Sequence, residues 1–125
     1  MTAPAHNTVA WFQIGSNEPQ QVQQFYGDLF GWTFTSDPQF GGNYDLVTYS
    51  GGDRPQGGLA RTPDPSANHA IFSVIVADVA ATVAAAERLG AKVQVPVTTT
   101  PAGLIFAELL DTSGNHFGVF TPAPV

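Results

Sequence analysis

The chain has 125 residues, 43% of them apolar and 11% charged, enough for one compact core and too few for a multidomain assembly. With no cysteine, disulfide frameworks, thiolate zinc sites and cysteine nucleophiles are excluded. Ten acidic residues against Arg54, Arg61, Arg88 and Lys92 give a formal charge of −6, which repels phosphate backbones and anionic lipid, so neither nucleic acid nor a membrane is expected as a partner. No apolar run approaches the roughly 18 residues of a spanning helix. Residues 1–7 lack the basic start and hydrophobic stretch of a leader, and the expected location is the cytoplasm.

Residues 10–14 read as a short strand. A helix is expected over 17–30, where Val22, Phe25, Tyr26, Leu29 and Phe30 fall at i, i+3, i+4, i+7 and i+8 and form one apolar stripe. Ser16 or Asn17 can cap its first amides, Glu18 and Pro19 suit its first turn, and Gly31 supplies a left-handed stop. Its glutamines, Gln20, Gln21, Gln23 and Gln24, form an uncharged solvent face. Strand-like runs follow at 32–35 and 44–49, then a further short strand, separated by turn clusters that include Gly41-Gly42-Asn43, Gly51-Gly52-Asp53 and the pair Gly57-Gly58. Residues 62–68, with Pro63 and Pro65, read as a hinge. Beyond it come a strand at 70–76 and a helix at 79–89 that is capped by Asp78, buries Val79, Val83, Ala86 and Leu89, and stops at Gly90. Strands at 92–95 and 104–110, a turn at Ser113-Gly114-Asn115 and a last strand complete the chain.

The plan repeats. Gly31 and Gly90 stand 59 positions apart, and the strand-like runs at Tyr44 and Leu104 are offset by 60. Each half is a strand, a helix, then strands. The segment from Phe25 to Trp32, the run Val76-Ala77-Asp78-Val79 leading into residues 86–93, and Asp111-Thr112-Ser113-Gly114-Asn115 before the last strand resemble the vicinal oxygen chelate superfamily, which includes glyoxalase I, bleomycin-resistance proteins and extradiol dioxygenases. The resemblance spans about residues 8–121. It implies an α+β fold in which two βαβββ modules form a curved mixed sheet, a half-barrel cup with the helices outside. One domain over 1–125 is expected, with module one at about 8–61, a linker at about 62–68 and module two at about 69–121. Homodimerisation is implied too, and open sheet edges need cover.

Metal-dependent members carry His or Glu at four cup positions. By the family pattern these fall on Trp11, Leu59, Ile71 and Gly118, with Gly58 and Ala60 beside Leu59 if the register slips by one. None of these side chains donates a lone pair to a divalent ion. No cofactor is therefore expected in the family's usual place. A displaced divalent site could draw on His69, His116 and Glu108, although no spacing brings them together, and Glu108 either points to solvent or faces the cup as a buried carboxylate. His6 lies near the chain start.

Strand alternation sends Trp11 and Gln13 one way and Phe12 and Ile14 the other. Ile71 and Ser73 take the cup side with His116, Gly118 and Phe120, giving apolar walls with a few polar groups, the mixture of a small-molecule pocket. Trp11 either stacks on a planar or cationic guest or fills the space of a lost metal. No Gly-x-Ser-x-Gly elbow and no phosphate-binding loop is present. Three readings stand: a metal-free protein binding a small hydrophobic or cationic molecule through Trp11, Gln13, Leu59, Ile71, Ser73, His116, Gly118 and Phe120; a glyoxalase- or dioxygenase-type enzyme with the displaced metal; and an assembly domain whose cup is closed by its own side chains.

Overall fold

The computed structural model describes residues 5–124, so the first four residues of the leader argument lie outside the described part. Two compact units divide the described residues: Trp11–Ala70, here the first unit, and residues 5–10 together with 71–124, the second.

The first unit holds most of β1 (Thr8–Ser16), then α1 (Pro19–Phe30), β2 (Thr33–Ser36), β3 (Tyr44–Thr48) and β4 (Gly57–Arg61), with strand order β2-β3-β4-β1. β1 and β4 run parallel, which requires the long connection carrying α1 between them, and the other pairs are antiparallel. Phe12, Val47 and Leu59 face α1. The Phe12 ring meets Trp32 at 5.5 Å between centroids, Trp32 stacks on Tyr26 of α1 at 5.2 Å, and the Gln23 amide donates to Asp45 at 2.5 Å. The other face carries Trp11, Gln13, Tyr44, Leu46 and Gly58.

The second unit repeats the plan with most of β5 (His69–Ile75), then α2 (Val79–Arg88), β6 (Lys92–Thr99), β7 (Ile105–Leu110) and β8 (His116–Thr121), in the order β5-β8-β7-β6. Val79 and Val83 of α2 pack on Ala107, Leu109 and Val119 to make a core cluster, with Val74, Ala86, Ile105 and Phe117 against it. The alternation follows at once: the odd residues of β7 and β8 face α2, and the even ones face away.

Several local expectations change. Ser16 does not cap α1; its hydroxyl accepts the Glu18 amide at 2.9 Å, and Glu18 is the cap position with no side-chain bond, because Pro19 supplies the first helical φ without needing one. Gly31 ends α1 in the left-handed region at φ 74°. The α1 stripe is only partly covered: Phe25, Leu29 and Phe30 are more than half exposed. Asp78 caps α2 by accepting the Ala81 amide at 2.9 Å, but Leu89 is the C-cap residue and is 79% exposed instead of buried. β6 runs past the expected residue 95 and through Pro96. It lies at the end of its strand order, and its register on β7 shifts on either side of Val95, so the missing N–H is tolerated. Gly57 and Gly58 are not a hairpin turn; they open β4 as a buried parallel partner of Phe12 and Gln13.

The turn between β7 and β8 is set by Asp111, which accepts the Asn115 side-chain amide at 2.9 Å and the backbone amides of Ser113 and Asn115 at 2.8 and 2.9 Å. These bonds, the Asn115 side chain first, hold its carboxyl below the usual carboxylate range. A depressed pKa adds stability above the ordinary carboxylate range that disappears as pH falls through the folded-state value. Melting temperatures of Asp111→Ala and wild type should therefore differ most at neutral pH and converge in acid. A constant gap across the titration would show that the turn carboxylate is not the source.

Candidate functional site

Each unit presents one sheet face away from its helix, and both faces are built around a glycine in a central strand. In the second unit Gly118 of β8 is buried between Ser73 of β5 and Glu108 of β7, both in register with it. His116 lies two residues earlier on the same face, opposite Leu110, and Phe120 two residues later, opposite Phe106 and beside Ile75. The structure brings Ile71, Ser73, His116, Gly118 and Phe120 onto this one face, as alternation predicts. It also decides the open question of Glu108, which turns to this face, away from α2. His116 Nε2 and Glu108 Oε1 stand 2.6 Å apart, with side chains 21% and 15% exposed. Spacing in the sequence, eight residues, gave no hint of the pair. The signal lies in topology: an antiparallel β7–β8 hairpin in this register sets residues 108 and 116 on one face one step apart.

In the first unit the counterpart of Gly118 is Gly58, in register with Gln13 as Gly118 is with Ser73. Leu59, expected among the cup residues, lies on the opposite face, 1% exposed, because it is in register with Ile14 on the α1 side. The register slips by one, and Gly58 takes its place. The place over Gly58 is filled. The Tyr44 ring lies where a side chain at 58 would stand, and Trp11 Nε1 donates to the Tyr44 hydroxyl at 3.0 Å. Beside it the Gln13 amide donates to His69 Nε2 at 3.0 Å, so His69 carries its proton on Nδ1, which donates to the Ala67 carbonyl at 2.9 Å. His69 thus has both ring nitrogens engaged within the first unit, its ring against Gly15.

The two faces differ in what stands nearest the glycine. Over Gly118 only the Ser73 hydroxyl leans in, 2.5 Å from where a Cβ would stand, whereas over Gly58 an aromatic ring is in the way. Ala60, two residues on along β4 and in register with Tyr44, is small, whereas its counterpart Phe120 is a ring in register with Phe106. A separate shallow groove of about 400 Å³ beside α1 is lined by Gln20, Gln23, Gln24, Gly27, Asp28 and Phe34 and includes none of the expected site residues.

Residues 11–120 match the glyoxalase-like domain family, and the chain belongs to it, a branch of the vicinal oxygen chelate superfamily. No curated protein matches. Among solved structures, the Mn(II)-bound glyoxalase of Novosphingobium aromaticivorans is 20% identical with a TM-score of 0.64, over 94% of this chain and 40% of that one. This chain therefore spans two-fifths of that glyoxalase. A variant methylmalonyl-CoA epimerase of Streptomyces coelicolor, in complex with 2-nitronate-propionyl-CoA, is 15% identical with a TM-score of 0.66, over 96% of this chain and all of that one. The methylmalonyl-CoA epimerase of Mycobacterium tuberculosis is 16% identical with a TM-score of 0.62, covering 99% and 94%. At these identities the likeness shows the fold, here the two βαβββ repeats, and not the chemistry.

The residues that the family resemblance puts at metal positions do not suit a divalent ion: Trp11 and Gly58 in the first unit and Ile71 and Gly118 in the second offer no oxygen or imidazole lone pair, and Leu59 lies on the α1 face of its strand. Of the displaced set, His69 has both ring nitrogens hydrogen-bonded, and His116 Nε2 lies 2.6 Å from Glu108 Oε1.

Gly58→Ala should cost about 1–3 kcal/mol, since the new Cβ overlaps the Tyr44 ring and breaks its bond to Trp11. Gly118→Ala should be close to neutral, because the Ser73 hydroxyl can rotate aside. Equal losses in denaturant melts would contradict the difference drawn between the two faces.

Proposed function

We propose that the protein is a metal-free, bleomycin-resistance-like member of its family that binds a small hydrophobic or cationic organic molecule on the sheet face around Gly118. The observation that carries the reading is the row in which Ser73 and Glu108 flank Gly118, a buried residue without a side chain, at a position that the family resemblance makes a ligand position in metal-dependent members. Ile71, Phe106, Phe120 and Leu110 supply apolar walls, and the His116–Glu108 pair supplies a polar contact, the composition of a small-molecule site. Trp11 and Gln13, expected to contact the guest, are engaged by Tyr44 and His69, which favours a structural role for both. The enzyme reading through a displaced metal has less support for the reason just given. The assembly reading draws on the linked rings of Phe25, Tyr26, Phe30, Trp32 and Tyr49, several of them exposed; that patch supports a homodimer alongside ligand binding. No helix among the described residues is long and apolar enough to cross a membrane, which is compatible with the proposed cytoplasmic location.

Protein purified without chelator should hold fewer than roughly 0.1 divalent ions per chain. A ligand panel should contain compounds that raise Tm; at about 100 times Kd the rise is roughly 10 °C for a chain of this size. Stoichiometric metal by elemental analysis, or a panel of amines, aromatics and drug-like cations without any shift, would overturn the reading.

A further inference from the structure

The outermost strand of the first unit, β2, leaves half of its backbone groups unused. The Asp37 amide donates to the Tyr44 carbonyl at 3.0 Å, and the antiparallel register continues from that bond through Thr35 opposite Leu46 and Thr33 opposite Thr48. Backbone groups alternate sides along a strand, so Thr33 and Thr35 bond inward to β3 while the N–H and C=O of Phe34 and Ser36 point out of the edge. Among the described residues no strand pairs with β2 on that side. We infer that two copies of the chain join here, β2 lying antiparallel to the partner copy's β2 about a two-fold axis through Thr35. This deepens the homodimer proposed above and does not depend on the guest. In that register Phe34 stands opposite the partner's Ser36 and Ser36 opposite the partner's Phe34, so four main-chain hydrogen bonds satisfy every outward group of the strand. Thr35 meets the partner's Thr35 on the axis.

The composition of the strand suits pairing. β2 reads Thr33-Phe34-Thr35-Ser36, β-branched and aromatic in part, with no charge, no proline and no register shift against β3. The outermost strand of the second unit, β6, carries Lys92, Pro96 and two register shifts, the devices that keep an edge from pairing. Only the first unit's edge is competent to accept another strand.

Side chains beside the edge complement a second copy as well. Gln20, Gln24 and Asp28 of α1 line one groove with Phe34 of β2, so this helix row overlooks the edge. The two-fold axis reverses the helix direction, and a row centred on Gln24 then meets the partner's row with Gln24 opposite the partner's Gln24 and Gln20 opposite the partner's Asp28. Amide donors face carboxylates, and no two carboxylates face each other. α1 holds no cation and no acid besides Asp28, so in a chain of formal charge −6 this is a surface on which two copies approach with little repulsion. Phe25 and Leu29, one step round the helix from Gln24 and Asp28 and more than half exposed, add apolar surface to the same row. A foreign peptide strand satisfies the backbone groups equally, but the matched amides and carboxylates favour a second copy.

Analytical ultracentrifugation of the whole chain at roughly 50 µM should give twice the 13.2 kDa chain mass. Thr35 is solvent-exposed, so Thr35→Lys and Thr35→Glu should keep the circular dichroism of wild type. Each sets like charges face to face on the axis and should sediment as a monomer, and an equimolar mixture of the two should return to the dimer mass. The absence of cysteine gives a second readout that needs no charged variant. Directly opposite residues of a non-hydrogen-bonded antiparallel pair stand about 4.5 Å apart at Cα, within disulfide reach, so mild oxidation should cross-link most of Thr35→Cys. Thr33→Cys, two residues off the axis, should remain uncross-linked. A monomeric wild type, which leaves the edge to a foreign strand at most, would overturn the assignment. So would a dimer that survives both charged variants, a mixture that stays monomeric, or equal cross-linking at 33 and 35. Ligand-panel Tm shifts repeated on monomeric Thr35→Lys test the guest reading separately.

Discussion

A buried glycine in a central strand of each unit, Gly58 in one and Gly118 in the other, lets a neighbouring side chain lie against the sheet backbone, and the identity of that side chain decides the chemistry available there. A Cβ at either position would meet a neighbouring side chain closer than real atoms approach. At Gly58 the neighbour is a tyrosine ring anchored by an indole N–H, and the face is completed from within. At Gly118 it is a serine hydroxyl, and beyond it stand a carboxylate and an imidazole in contact. The duplicated plan thus yields two unlike faces from one pattern of strand pairing.

The consequence for function follows from electrostatics. Glycine at 118 offers no side-chain donor to a divalent ion, and His116 and Glu108 beside it stand 2.6 Å apart, partnered with each other. What remains is a carboxylate of low exposure, fixed by its imidazole, beside aromatic walls. Such a group interacts strongly with any donor that reaches it, because water competes poorly there.

Much of the fold was legible in the sequence. Helical periodicity at Val22 to Phe30, the Asp78 cap and the glycine stops at 31 and 90 located both helices, and the 59- to 60-residue offset gave the duplication. The errors have local causes. Leu89 fits the apolar period but follows the last helical residue, so it is exposed. Gly57-Gly58 has the composition of a turn, yet serves as strand backbone under the rings of Phe12 and Tyr44, which only the tertiary pairing reveals. The site was half visible. Alternation placed Ile71, Ser73, His116, Gly118 and Phe120 together, while a one-residue register error put Leu59 in the place of Gly58. The His116–Glu108 pair depends on hairpin register, and Tyr44 over Gly58 depends on the β3–β4 register; neither is encoded in linear spacing.

The central proposal, that a guest binds at the face around Gly118 while Tyr44 fills the place over Gly58, is tested most directly by backbone amide NMR. On titration with a panel compound that raises Tm, the amides of Ser73, Glu108 and Gly118 should shift with saturation, and those of Gln13, Tyr44 and Gly58 should stay still. Saturable shifts at Gly58 and Tyr44 with Gly118 unmoved would contradict it.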